Sequence, residues 1–181
     1  MYFLVSIGHF LYIILGDSDD GPFAFPWVEI YSGVTFTYCQ LDYELASVLY
    51  NIGALHTQIG NSQDRTDSDG LKLACTHFQC AAWAFQSIRE KYKTESSTDL
   101  SPDLLQFLSQ ICLAQAQECI LEKSILDHRK PAIIAKVCAQ VYMYYETAWS
   151  KILSCSAAIM TDMRDDTVIA ILGKIFDQFL S

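Results

Sequence analysis

Apolar residues recur at three- and four-residue steps through most of the chain from Leu41 onward. This spacing is typical of amphipathic helices that bury one face. Polar or charged stretches interrupt the pattern, such as 61–69 (NSQDRTDSD) and 127–130 (DHRK). The pattern predicts consecutive helices with short polar joints, over about 41–60, 71–92, 101–126 and 131–152, and a last helix from Thr167.

Helix boundaries and buried faces can also be predicted from residue type. Gly60 is expected to end the first helix, whose apolar face runs from Leu41 through Leu55 to Ile59. Ser101 followed by Pro102 predicts an N-cap and first turn. The second helix carries small residues beside aromatics, which favours close packing against another helix: Leu71, Ala74, Cys75, Phe78, Ala81, Ala82, Phe85 and Ile88.

The first part of the chain does not follow the helical pattern clearly. Residues 1–15 are apolar and uncharged, and 17–22 form a turn; we leave 1–21 unassigned. The opening run lacks the basic start and cleavage site of a signal peptide and is short for a membrane span, so a buried helix or an ill-defined start competes with export or anchoring. Residues 23–38 favour a short strand or irregular packing. The fold class predicted is all-α, a helical bundle or a tetratricopeptide-type solenoid.

Composition narrows the choice of partners. Hydrophobic residues make up 51% of the 181, which argues against disorder. The net charge of −9 disfavours nucleic acid and anionic membranes, so we predict neither nucleic-acid binding nor direct membrane insertion. The seven cysteines lack any CxxC spacing, which favours reduced thiols in a cytosolic protein over disulfides or a metal site. No cofactor is predicted.

The sequence offers no recognisable catalytic motif. It contains no GxxxxGK[ST], GxGxxG, HExxH or GxSxG pattern, and no cysteine has the arginine that a phosphatase loop needs six residues later. Adjacent acids such as Asp165 and Asp166 are typical of solvated turns. We therefore predict that the chain is not an enzyme.

Three segments together resemble a known family: LDYELASVLYNIGALHTQIG at 41–60, DGLKLACTHFQCAAWAF at 69–85, and LAQAQECILEKSILDHRKPAIIAKVCAQ at 113–140. In this order they are similar to the Bro-one domain of Alix-type proteins, as is FPWVEIYSG at 25–33. The run LEKSILDHRK most resembles the domain of the His-domain tyrosine phosphatase branch. The resemblance covers about 22–181 and implies a partial domain, since the family domain is roughly twice as long, curved and mostly helical with a tetratricopeptide-like core.

The resemblance also implies a function. In this family the domain is a non-catalytic adaptor that binds the C-terminal amphipathic helix of Snf-seven-type ESCRT-III subunits in endosomal and multivesicular-body sorting. It implies a cytoplasmic protein that is recruited to endosomes. Oligomeric state does not follow from it.

By the same resemblance, the partner-binding residues are Ile120, Ile133 and Val137, with Lys72 and Ser68 at a polar edge. Ser68 stands where Alix-type members carry an acid. Ile133 and Val137 lie four residues apart and so share one helix face. Apolar residues at helical spacing usually face inward, so the residues alone favour a core role for all three. The resemblance favours a surface role for Ile120 and Ile133 and leaves Val137 open.

Other interpretations stay open at this point. One is a rhophilin-like signalling scaffold that presents other segments to small GTPases. Another is a non-functional fragment of a non-receptor tyrosine-phosphatase-like protein. A third is a truncated product that does not fold stably, because an uncapped solenoid end exposes apolar surface.

Overall fold

The computed structural model describes residues 24–30, 33–92, 97–152 and 155, and within them the fold is mostly helical, as predicted. The predicted segments 1–21 and 167 onward lie outside the described residues. Two strands, β1 and β2, precede four helices, α1 to α4, in the described part of the chain. Their bounds are Phe25–Val28, Thr35–Tyr38, Leu41–Asn61, Ser68–Lys91, Pro102–Leu126 and Pro131–Ile152.

Each helix packs against the next one along the chain, in the order α1, α2, α3, α4. Neighbouring helices run antiparallel, because residues late in α1 face residues early in α2: Gly60 lies over Phe78, and Gly53 lies over Phe85. The core follows the two seams that flank α2 and the seam between α3 and α4. This row of antiparallel helices confirms the predicted fold class.

The hairpin of β1 and β2 confirms the short strand expected within 23–38. Phe25 pairs with Tyr38 and Val28 with Thr35 in an antiparallel register. The Trp27 indole Nε1 donates to the Glu44 carboxylate at 2.7 Å, which ties β1 to α1. A buried carboxylate would be costly without partners, and Glu29 accepts from the Ser97 hydroxyl and the Thr98 amide.

Helix α2 begins three residues earlier than predicted. The Asp67 carboxylate accepts hydrogen bonds from the backbone N–H groups of Asp69 and Gly70, at 2.6 and 2.9 Å. These bonds satisfy two of the donors that a helix start leaves unpaired, so the helix begins at Ser68. The predicted packing face of α2 is confirmed, since seven of its eight residues are buried and Cys75 is half-buried.

Of two predicted boundary residues, Gly60 has a different role and Ser101 has the predicted position. Gly60 does not end α1 but lies inside it, and Ser62 is the C-cap. The missing side chain of Gly60 leaves room for the Phe78 ring, which would lie 3.0 Å from an added Cβ. Ser101 occupies the N-cap position before Pro102 but makes no side-chain capping bond. Its carbonyl accepts the first helical hydrogen bond instead, from the Leu105 amide.

The buried face of α1 differs from the predicted one. The prediction placed Leu55 and Ile59 inward, but they are 55% and 40% exposed. The face packed against α2 consists of small residues and tyrosines, namely Tyr43, Ala46, Ser47, Tyr50, Gly53 and Gly60. Small residues let the two helices approach closely, as Gly53 and Gly60 do against Phe85 and Phe78.

Replacing Gly70 with alanine is expected to destabilise the chain. An alanine within a helix usually stabilises it by about 1 kcal/mol relative to glycine. Here an added Cβ would overlap the Asp64 backbone carbonyl. Relieving such an overlap typically costs about 1–3 kcal/mol, so the sign should reverse. Urea unfolding of Gly70→Ala against the wild type measures this, and a more stable variant would show that the α1–α2 turn yields freely.

Candidate functional site

The five residues predicted to bind a partner lie on three helices. Ser68 and Lys72 belong to the first turns of α2, Ile120 to the last part of α3, and Ile133 and Val137 to the beginning of α4. We call Ile120, Ile133 and Val137 the joint patch, because they flank the α3–α4 joint. Ser68 and Lys72 form its polar edge.

The exposure of the joint patch decides between a core and a surface role. Ile120 is 38% and Ile133 44% exposed, so neither is a core residue. Val137 is half-buried and packs against the cluster that fills the α3–α4 seam. The patch therefore consists of two exposed isoleucines and one residue that also supports the core.

The packing of α3 against α4 sets the register between the two segments that carry the patch residues. Leu121, which follows Ile120, shares a buried cluster with Val141, which lies one turn after Val137. A hydrogen bond fixes the same register, because the Tyr145 hydroxyl donates to the Glu118 carboxylate at 3.0 Å. Burial first, and the Glu118 carboxylate next, raise the pKa of Tyr145, which keeps the hydroxyl protonated as the donor.

Lys123 connects the polar edge to the α3–α4 joint. Its Nζ donates to the Ser68 hydroxyl at 3.0 Å and to both Asp127 carboxylate oxygens, at 3.0 and 2.9 Å. The hydrogen bond from Lys123 is the largest cause of the lowered pKa of Asp127. One lysine thus holds the start of α2 against the end of α3. Ser68 serves there as a neutral hydrogen-bond acceptor.

Lys72 does not join this network. Its Nζ donates to the Asp69 carboxylate at 2.8 Å, one helical turn earlier. That hydrogen bond raises the pKa of Lys72 and lowers the pKa of Asp69. Since Lys72 is exposed, the pair is solvated and contributes little to folding, and the ammonium group stays available to a partner.

A second cross-helix network lies beneath the polar edge. Arg65, in the α1–α2 turn, makes a two-pronged hydrogen bond with the Glu122 carboxylate, through Nε at 2.8 Å and through Nη2. Its Nη2 also lies 3.6 Å from Glu118. A bidentate arginine–carboxylate pair fixes geometry more strictly than a single contact. This network aligns α3 with the turn that leads into Ser68.

Sequence reasoning missed Lys123 and two further exposed side chains. The spacing of Lys123 and Asp127, four residues apart on a helix, predicts their pairing, but the bond to Ser68 depends on the tertiary fold. Ile125 and Leu126, at the end of α3, are 53% and 44% exposed. They add apolar surface at the joint.

The exposed side chains of the joint patch, Ile120 and Ile133, are apolar. Among the described residues, no group of three or more His, Cys, Asp or Glu side chains is placed to hold a metal ion. Burial raises the pKa of the Cys112 thiol to about 12 and that of Cys119 to about 11, which disfavours reactive thiolates. None of the helices in the described part of the chain is both long and apolar enough to span a bilayer.

Comparison with known proteins bears on the family and the fold of the chain. The BRO1-like domain family matches residues 13–172. The chain is 43% identical over 134 residues to mouse tyrosine-protein phosphatase non-receptor type 23, covering 74% of this chain and 8% of that protein. It is 41% identical over 128 residues to ALG-2 interacting protein X of Dictyostelium discoideum, covering 68% and 16%. The chain thus spans a small part of these relatives.

A solved structure carries the same fold. A BRO1 domain of ALIX in complex with CHMP4C superposes with a TM-score of 0.73 at 32% identity, covering 80% of this chain and 44% of that one. A second structure, of a Bro1 domain described as a basis for endosomal targeting, shares the fold with a TM-score of 0.66 at 22% identity. The sequence match and the shared fold make this chain a member of the BRO1-like domain family.

Proposed function

We propose that this chain is a non-catalytic adaptor that binds an amphipathic helix of an ESCRT-III subunit of the CHMP4 type during endosomal sorting. One observation carries the proposal: Ile120 and Ile133 are exposed at the α3–α4 joint, on a fold whose solved relative is in complex with CHMP4C. The protein is expected to act in the cytoplasm and to be recruited to endosomes through this contact.

The joint patch has the features that helix-in-groove binding needs. Such binding inserts apolar side chains, spaced one turn apart on the partner helix, into exposed apolar surface. Ile120 and Ile133 are exposed apolar side chains on two helices, and the half-buried Val137 packs against the core cluster of the same two helices. We expect these side chains together to offer a partner an apolar surface formed by two helices.

The polar edge limits the register of the partner. Lys123 and Asp127 neutralise each other, so the charge next to the patch is largely satisfied within the chain. Lys72 is 60% exposed and is held at one point by Asp69. A partner helix with an acidic residue beside its apolar face could exchange with Asp69 for Lys72. Apolar burial would then supply the affinity, and this pair would select orientation.

Direct titration tests the proposal. A fluorescently labelled peptide of the CHMP4C C-terminal helix is titrated with the full 181-residue chain and followed by anisotropy. We expect saturable binding that an unlabelled copy of the peptide competes away. A scrambled peptide of the same composition is the control, because it keeps charge and hydrophobicity but loses the apolar face. Equal binding of both peptides, or no binding by a folded chain, would contradict the proposal.

A further inference from the structure

Two histidines meet between α1 and α2, outside the joint patch. The Nδ1 atoms of His56 and His77 lie 2.8 Å apart. Their ring centroids are 5.0 Å apart and the ring planes are inclined by 36°. The ring radii account for nearly all of the difference between these two distances, so the Nδ1 atoms point at each other almost head-on.

Two nitrogens at this distance and orientation share one proton. A neutral imidazole has one N–H donor and one acceptor nitrogen, so one Nδ1 donates and the other accepts. If both Nδ1 atoms carried a proton, two donors would face each other at hydrogen-bond distance. One added proton can therefore bind at an outer Nε2, which makes one ring an imidazolium and keeps the hydrogen bond between the Nδ1 atoms. A second added proton would have to bind at the accepting Nδ1, and the rings would then have to separate.

The packing of α1 on α2 brings the two histidines together. Glycines stand on both sides of His56 in α1, and each leaves room for a phenylalanine ring of α2. An added Cβ would come within 3.0 Å of Phe85 at Gly53, and of Phe78 at Gly60. The two helices are thus held close together on both sides of His56, and the half-buried rings of His56 and His77 meet between them.

The surroundings of the pair offer little to offset a second positive charge. Burial first, and the neighbouring His77 next, lower the pKa of His56. No carboxylate in the described residues contributes to that shift. The carboxylates that α3 presents toward α2, Glu118 and Glu122, are engaged by Arg65. His77 is therefore the titratable group that acts on His56.

A metal ion accounts for the pair less well than a proton. The described residues place no third His, Cys, Asp or Glu beside it to complete a cluster. The two nitrogens are 2.8 Å apart, whereas a metal ion held between head-on nitrogens by bonds of about 2 Å would need them about 4 Å apart. The geometry fits a single N–H···N hydrogen bond.

We propose that His56 and His77 form a proton-sensitive clamp that holds α1 to α2 while they share one proton and weakens that contact when both rings become charged. This clamp is independent of partner binding at the joint patch. It links the stability of the first two helices to pH, near the turn that carries Arg65 and leads into Ser68.

The direction of the pH effect follows from proton counting. A histidine whose folded-state pKa is lowered binds fewer protons in the folded chain than in the unfolded chain, where its pKa is about 6.5. The stabilisation is therefore complete above about pH 6.5 and is lost as the pH falls through that value. Because the folded chain excludes one proton that the unfolded chain binds, the unfolding equilibrium constant should rise by up to about tenfold for each pH unit of acidification.

Urea unfolding of the full chain at about pH 7.5, 6.5 and 5.5 tests the clamp, because acidic side chains titrate mostly below this range. His77→Gln and His56→Gln keep a hydrogen-bonding side chain but remove one titrating ring. We expect each to reduce the pH dependence of the unfolding constant to less than about threefold per unit. His128→Asn, at the α3–α4 joint, removes a histidine elsewhere and should keep the wild-type dependence. A wild-type slope in both glutamine variants would overturn the proposal.

Nuclear magnetic resonance of the imidazole nitrogens in the wild-type chain provides a test that needs no variant. The clamp predicts that one Nδ1 is protonated and the other is not near pH 7.5, and that the two rings titrate in two coupled steps. Two independent single-site titration curves would overturn the proposal even if a glutamine variant failed to fold.

Discussion

Replacing Ile133 with aspartate is expected to weaken binding of the CHMP4C C-terminal helix about 30-fold, which corresponds to about 2 kcal/mol for the loss of a central apolar anchor. Ile133 is 44% exposed in the free chain, so the new carboxylate can remain in water before binding. In the complex it would face the apolar side of the partner helix. The affinity for the partner helix should therefore fall, while the free energy of unfolding changes little.

The matched control is Met143→Asp. Met143 lies on the same helix as Ile133, is 56% exposed, and lies outside the joint patch. It receives the same chemical change, so equal losses of affinity would argue for a general effect of charge. Anisotropy titrations give the affinities, and thermal melting followed by circular dichroism checks the fold. A lowered melting temperature in Ile133→Asp would assign Ile133 to the core and contradict the site.

Local sequence signals predicted the helices well because each signal is also local in the structure. The polar runs before Ser68 and Pro131 mark real joints, and the small-plus-aromatic pattern of α2 is its buried face. The start of α2 was misplaced because Asp67 stands inside a run of polar residues. Only its bonds from the amides of Asp69 and Gly70 distinguish it as the cap.

The burial of α1 could not be predicted from periodicity. Its leucines and isoleucines and its small-plus-tyrosine face both recur at helical spacing, so the sequence offers two candidate stripes. Close packing against Phe78 and Phe85 selects the stripe with Gly53 and Gly60. The deciding side chains lie on another helix, where a pattern read along α1 does not show them.

The candidate site depended on the family resemblance, and its supporting contacts depended on the fold. Helical spacing favoured a core role for Ile120 and Ile133, yet both are exposed. Lys123 bonds Ser68 across 55 residues of chain, and His56 meets His77 across 21. Pairings of this kind follow from the register between helices, which a single sequence does not specify.

Replacing Phe78 with alanine is expected to cost about 3–5 kcal/mol of the free energy of unfolding, the largest effect that we predict for a single change. Phe78 is fully buried, and its ring fills the space that Gly60 leaves in α1. It also belongs to the cluster that joins α2 to α3 through Ala116 and Cys119. Its loss would leave a cavity where three helices meet, and the surrounding backbone could not collapse to fill it.

Phe36→Ala is the control for this change. Phe36 lies on the hairpin strand β2 and is 36% exposed, so the same truncation there should cost less than about 1 kcal/mol. Urea unfolding followed by far-ultraviolet circular dichroism measures both variants. Because a domain of ordinary stability has a free energy of unfolding of about 5–15 kcal/mol, Phe78→Ala should lose a large share of it and unfold at a clearly lower urea concentration. Similar small losses in both variants, or no cooperative transition in the wild type, would show that the three-helix junction at Phe78 does not hold the chain together.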